Sequence, residues 1–176
     1  RAMLRGAKVT LIAGKTECEL PNFVDVIKVK SAEDMYNAVK ACAYKQDIII
    51  KAAAVADYTP KIVAEQKIKK NDGDMSIELE RTKDILKSLG EFKREGQLIC
   101  GFSMETENLI ENSRKKLKKK NADMIVANSI SDKGAGFGVD TNIVTIITEN
   151  DETSLGLLSK DAVADEILTK LIDMKG

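Results

Sequence analysis

Two hydrophobic rhythms alternate along the chain. Short β-branched or apolar runs are separated by longer stretches in which apolar residues recur every three or four positions. This alternation predicts an α/β domain, a Rossmann-like three-layer fold with a mostly parallel central sheet. The strands are expected over 8–12, 24–29, 47–54, 76–79, 98–103, 124–127 and 143–148, and the helices over 31–44, 83–92, 108–120 and 160–174. The first helix opens with Ser31 at the cap position and carries Glu33 and Asp34 in its first turn, where they favour the helix dipole. Met35, Ala38, Val39 and Cys42 follow at i, i+3, i+4 and i+7, one apolar stripe that gives Cys42 a packing role. No repeat, linker or composition break interrupts the pattern, so residues 1–176 read as a single domain.

Composition narrows the function classes. At 176 residues the chain can bury a real core. Its 28 basic and 28 acidic side chains cancel, so no global field draws it to nucleic acid or an anionic membrane, and any anion site has to be local. The apolar runs fall far short of the ~18 residues a membrane span needs. No basic-then-apolar leader opens the sequence, and a cytoplasmic protein is the expectation. Cys18, Cys42 and Cys100 are widely spaced in a chain without histidine, which supports neither a disulfide framework nor a zinc site.

The segment from Asp47 to Lys70 is where chemistry first shows. A β-branched run loses its bulk in the alanines that follow, so a ligand can approach the backbone at Ala53 and Ala54. Asp57, the turn at Pro60 and the lysines Lys67, Lys69 and Lys70 come next. An open parallel sheet binds ligands outside the carboxyl ends of its strands. The segments 54–57, 102–106 and 127–129 all fall at such ends and are expected to converge. A second concentration of charge is the helix in which Arg114, Lys115, Lys116, Lys118, Lys119 and Lys120 crowd together. Lys116 and Lys120 share one face and suit a triphosphate, whereas on spacing alone the rest are a solvated surface. The absence of Trp and the presence of only three Tyr argue against a stacking platform for single-stranded nucleic acid. Ala13-Gly14-Lys15-Thr16 is too short for a dinucleotide fingerprint or a Walker loop.

The string AAAVADY followed by KIKK resembles the phosphopantothenoylcysteine synthetase family. TKDIL (82–86), GFSMET (101–106), KKLKKKNADMIVAN (115–128), GFGVDTN (136–142) and LLSKDAVADEIL (157–168) are similar to further family signatures in the same order. The resemblance implies a ligase of coenzyme A biosynthesis that joins 4′-phosphopantothenate to cysteine through an acyl-cytidylate, using CTP with magnesium. It places Lys67 as the catalytic lysine. Ala53, Ala54, Asp57, Lys83, Asp84, Ile85, Leu86, Phe102, Lys116 and Lys120 fall on nucleotide-contacting positions, and no metal ligand is assigned to the protein. A homodimer of the complete enzyme is also implied, as is an upstream flavin-dependent decarboxylase domain in many relatives. Nothing in this chain looks like that flavin domain.

Bland readings stand beside these roles. Asp57 serves equally as a turn residue, Phe102 as core packing, Glu105 and Thr106 as a helix cap, and Asn128 and Asn142 as turn formers. The family's first strand and its Asn-x-Ser-Ser-Gly segment have no counterpart here, so the expectation is a nucleotide-binding half that is binding-competent, with turnover in doubt. The alternative is a non-catalytic Rossmann-like nucleotide-binding or dimerisation module.

Overall fold

The computed structural model describes residues 1–64, 66–69, 74–105, 107–129 and 138–176. Lys70, Thr106 and Gly136, each part of a sequence motif, lie outside the described residues. The elements in chain order begin with β1 (Thr10–Ala13), β2 (Asp25–Lys28), α1 (Ala32–Ala43), β3 (Ile48–Lys51), β4 (Tyr58–Pro60) and β5 (Leu79–Arg81). Then come α2 (Ile85–Glu91), β6 (Leu98–Glu105), α3 (Leu109–Lys120) and β7 (Met124–Ser129). The chain closes with β8 (Thr141–Asn142), β9 (Val144–Thr148), β10 (Glu152–Ser154), β11 (Leu158–Ser159) and α4 (Lys160–Lys175).

The central sheet has five strands in the order β10-β9-β7-β6-β3. β3, β6 and β7 are parallel, while β9 and β10 add antiparallel strands at one side. Alternation along the strands divides the core between the two faces. Ile99 and Ile125 point into a cluster with Met35, Leu86, Leu89 and Leu117 from α1, α2 and α3. Cys100, Met124 and Val126 point the other way, into a cluster with Val163, Ile167 and Leu171 of α4. Helices on both sides of one sheet make the three layers. Burial pushes the Cys100 thiol up to about 12, so it packs as an inert side chain.

Three expectations about the sheet need correction. β1 and β2 form their own two-stranded parallel ribbon rather than extending the central sheet. The strand expected over 76–79 is instead β5, paired antiparallel with β4 in a separate ribbon. The strand expected over 47–54 stops at Lys51, because the alanines that follow have low strand propensity and no bulk to pack. The four helices fall where the periodicity puts them. α1 carries a full capping box, with the Asp34 amide donating to Ser31 Oγ at 3.0 Å and the Ser31 amide donating back to Asp34 Oδ2 at 3.0 Å.

Candidate functional site

Parallel pairing brings three strand ends to one edge. Lys51 lies opposite Gly101, Phe102 opposite Val126, and Glu105 opposite Ser129. The segments 54–57, 102–105 and 127–129 therefore lie beyond or at the carboxyl ends of adjacent strands, as the topology of an open sheet requires of a ligand site.

The loop after β3 is pinned to the turn before α2. Thr82 Oγ1 donates to the Ala56 carbonyl at 2.6 Å, and the Thr82 amide donates to the Asp57 carbonyl at 2.9 Å. Asp84 then caps α2, accepting from the Lys87 amide at 2.9 Å. The other oxygen of Asp84 meets the ammonium of Lys120, which reaches across from the end of α3. Burial works to raise the Asp84 pKa, but the hydrogen bonds from Lys120 and the Lys87 amide outweigh it and hold the carboxyl below the usual range. One helical turn earlier, Lys116 Nζ donates to the Phe102 carbonyl at 2.9 Å. Its pKa is lowered, by burial first and then by Lys120, with Glu105, Asp84 and Asp57 acting in opposition.

Two glycines set this geometry. A Cβ at Gly101 would meet Leu86 Cδ2 at 2.6 Å and Ile125 Cδ1 at 3.1 Å, so glycine here spares the buried side chains between α2 and β6 a shift. A Cβ at Gly90 would sit 2.9 Å from the Lys120 carbonyl carbon and closer still to its oxygen. Asn121 Nδ2 donates to the Gly90 carbonyl at 2.9 Å and locks the same contact. The Asp84–Lys120 pair thus depends on a close approach of α2 to α3.

The chain matches the family model for the DNA/pantothenate metabolism flavoprotein C-terminal domain over residues 1–174. It belongs to that family. Among curated relatives it is 48% identical over 172 residues to the coenzyme A biosynthesis bifunctional protein CoaBC of Bacillus subtilis (strain 168), covering 97% of this chain and 42% of the relative. It is 43% identical over 175 residues to a protein named cysteine/cysteine sulfinic acid decarboxylase from an unknown prokaryotic organism, covering 98% of this chain and 49% of that protein. A crystal structure of the C-terminal domain of CoaBC superposes with a TM-score of 0.82 at 45% identity, covering 98% of this chain and 79% of that one. The chain spans less than half the length of these two curated relatives.

Within this family member, the structure gathers most of the residues singled out by sequence but treats them differently. Asp57, Asp84, Lys116 and Lys120 share one electrostatic cluster. Ala53 and Ala54 are exposed beside it. Ile85 and Leu86 are buried at 3% and 4% exposure, so they can present only backbone to a ligand. Phe102 packs its ring against the core on the α4 side while its carbonyl faces Lys116, so both readings of it hold at once. Lys83 turns instead toward α1, donating to Glu33 Oε1 at 3.4 Å with its ammonium 4.8 Å from the Tyr36 ring centroid. Lys67 is exposed in an irregular segment and makes no hydrogen bond or ion pair among the described residues. Asn128 and Asn142, which end two of the family-like motifs and had turn formation as their bland alternative, meet across β7 and β8, with Asn142 Nδ2 donating to Asn128 Oδ1 at 3.4 Å.

Of three further residues in the cluster, Lys51 was missed by sequence reasoning, whereas Thr82 and Glu105 were noted only within the motifs over 82–86 and 101–106. Thr82 ties the alanine loop down, Glu105 faces Lys116, and Lys51 joins the charges from the end of β3. The signal for Lys51 was a single cation inside an otherwise apolar run. On α3, Lys115 pairs with Glu111 at 2.7 Å and Arg114 with Glu152 at 2.9 Å, while Lys118 and Lys119 are exposed. The helix therefore does split into one inward face and a solvated remainder.

Proposed function

We propose that this domain binds CTP at the carboxyl edge of its parallel strands and is the synthetase half of a ligase that joins 4′-phosphopantothenate to cysteine. The observation that carries the reading is the lysine-rich edge, with Lys116 and Lys120 over the ends of β3 and β6, in a chain 48% identical to a CoaBC protein. Small residues at Ala53 and Ala54 leave backbone open to the base, and Lys116 and Lys120 face the phosphate chain. The substrate carboxylate attacks the α-phosphorus, the acyl-cytidylate forms and pyrophosphate leaves. The cysteine amine then attacks the activated carbonyl and CMP departs.

Negative charge grows in both steps, on phosphoryl oxygens and then on a tetrahedral oxyanion. Fixed ammonium groups at a half-buried edge stabilise such charge more strongly than solvated ones. Lys67, on an exposed segment, is free of competing contacts among the described residues and is the cation we assign to the oxyanion of the second step. No group of three or more acidic, cysteine or histidine side chains among the described residues suits a resident metal. Magnesium enters in this reading as the counter-ion of the triphosphate substrate, where phosphate oxygens and water supply most of its ligands. A homodimer, and an upstream decarboxylase domain in the complete polypeptide, belong to the same proposal.

The test is product analysis in the full-length enzyme with CTP, 4′-phosphopantothenate and cysteine. Wild type should form phosphopantothenoylcysteine with CMP and pyrophosphate. Lys67→Gln should keep CTP binding and lose amide formation. Normal amide formation by that variant would remove Lys67 from the mechanism, and absence of product from wild type would remove the ligase reading.

A further inference from the structure

Lys51 is a charged residue at the end of an apolar strand, and the nucleotide reading above gives it no task. Its ammonium donates to the Ala53 carbonyl at 2.8 Å, two residues along its own chain. Lys116 Nζ rests in the same way on the Phe102 carbonyl, and Phe102 follows Gly101, the register partner of Lys51. Two half-buried ammoniums thus sit on carbonyls of neighbouring segments, that of Ala53 just past the end of β3 and that of Phe102 within the adjacent β6. Among the described residues neither forms an ion pair with a carboxylate, whereas Lys120 is paired with Asp84.

We propose that Lys51 is a third cation of the phosphate cradle, turning from the Ala53 carbonyl onto the phosphate chain of the bound nucleoside triphosphate beside Lys116 and Lys120. The inference deepens the CTP reading and rests on it. A lysine ammonium has three donors, and the carbonyl occupies one. Burial first, and then repulsion by Lys116, hold Lys51 below the ordinary lysine range, with Asp84 and Asp57 opposing. Burying like charges together without a bonded carboxylate is costly. A polyphosphate entering between them offsets that cost, and a neutral ligand does not. The competing role is a tether that only fixes the alanine loop after β3, which would affect every ligand of that loop alike.

The experiment is calorimetric titration of the 176-residue chain and its Lys51→Met variant with CTP in magnesium buffer, with CMP and with inorganic tripolyphosphate. Loss of a charge-assisted hydrogen bond should weaken CTP and tripolyphosphate about tenfold or more, and CMP should be nearly unchanged. Equal CTP affinity in both proteins would overturn the proposal, and equal losses on CTP and CMP would assign Lys51 the tether role instead. Tripolyphosphate binding that depends on Lys51, without CTP binding by wild type, would sink the nucleotide reading and leave the cradle standing. No binding of any of the three by wild type would sink both. Lys51→Arg keeps the charge and should retain CTP binding, so a loss there as large as in Lys51→Met would also count against the cradle.

Discussion

Replacing Gly90 by alanine should force α2 and α3 apart and loosen the contact between Asp84 and Lys120 at the same time. The new methyl would lie 2.9 Å from the Lys120 carbonyl carbon, nearer still to its oxygen, and both are backbone atoms that cannot swing aside. Relieving the overlap requires a separation of the two helices by about an ångström, and a gap of that size forfeits a quarter to a half of each dispersion contact across it. Overpacking of this kind costs about 1–3 kcal/mol. The Asn121 bond to the Gly90 carbonyl adds about 1 kcal/mol when broken. Against this, alanine is a better helix former than glycine by about 1 kcal/mol. The net expectation is a loss of about 1–3 kcal/mol, or about 2–4 °C in Tm for each kcal/mol in a chain of this size. Urea unfolding of the variant measures it directly. Gly156→Ala is the matched control, because a Cβ there meets nothing within 4 Å and the substitution should be neutral or mildly stabilising. Gly90→Ala unfolding at the same or higher urea concentration than wild type would refute the reasoning, since helix propensity would then have outweighed the clash.

Two further outcomes follow from single residues. Lys51 titrates below its ordinary range when folded, so between that value and about 10.4 the unfolded chain holds more protons; wild-type stability should therefore gain on Lys51→Met as pH rises through this window, and a difference in Tm that stays flat or reverses would show that the folded ammonium is not under strain. Ser113 Oγ is fully buried in α3 without a hydrogen-bond partner among the described residues, so Ser113→Ala should stabilise the domain by about 1 kcal/mol in chemical unfolding, and destabilisation would mean the hydroxyl is satisfied in solution.

What could be read from the sequence is what local pattern controls. The helical repeat of α1 and α3, the serine cap at Ser31 and the division of α3 into Lys116 and Lys120 against its solvated lysines all depend on residues within a few positions of one another. β4 and β10 escaped notice because YTP and ETS are short and exposed and hold their shape only through partners chosen at a distance. Asp84 was read as a ligand position, yet its pairing with Lys120 spans 36 residues and appears only when α2 and α3 touch. Lys51 was passed over because one cation in an apolar run is a weak signal until its neighbours across the sheet are known. Gly90 carried no visible signal, and Gly101 appeared only as the first residue of a motif, since the close approaches at both belong to the tertiary structure.

The central claim is that the lysines over the carboxyl ends of β3 and β6 form a nucleotide site. Its most direct test is a calorimetric titration of this chain with CTP, and separately ATP, in magnesium buffer, repeated on Lys116→Ala. The account predicts saturable CTP binding that weakens about tenfold or more when the Lys116 ammonium is removed. No saturable binding by wild type, or binding that Lys116→Ala leaves unchanged, would contradict it.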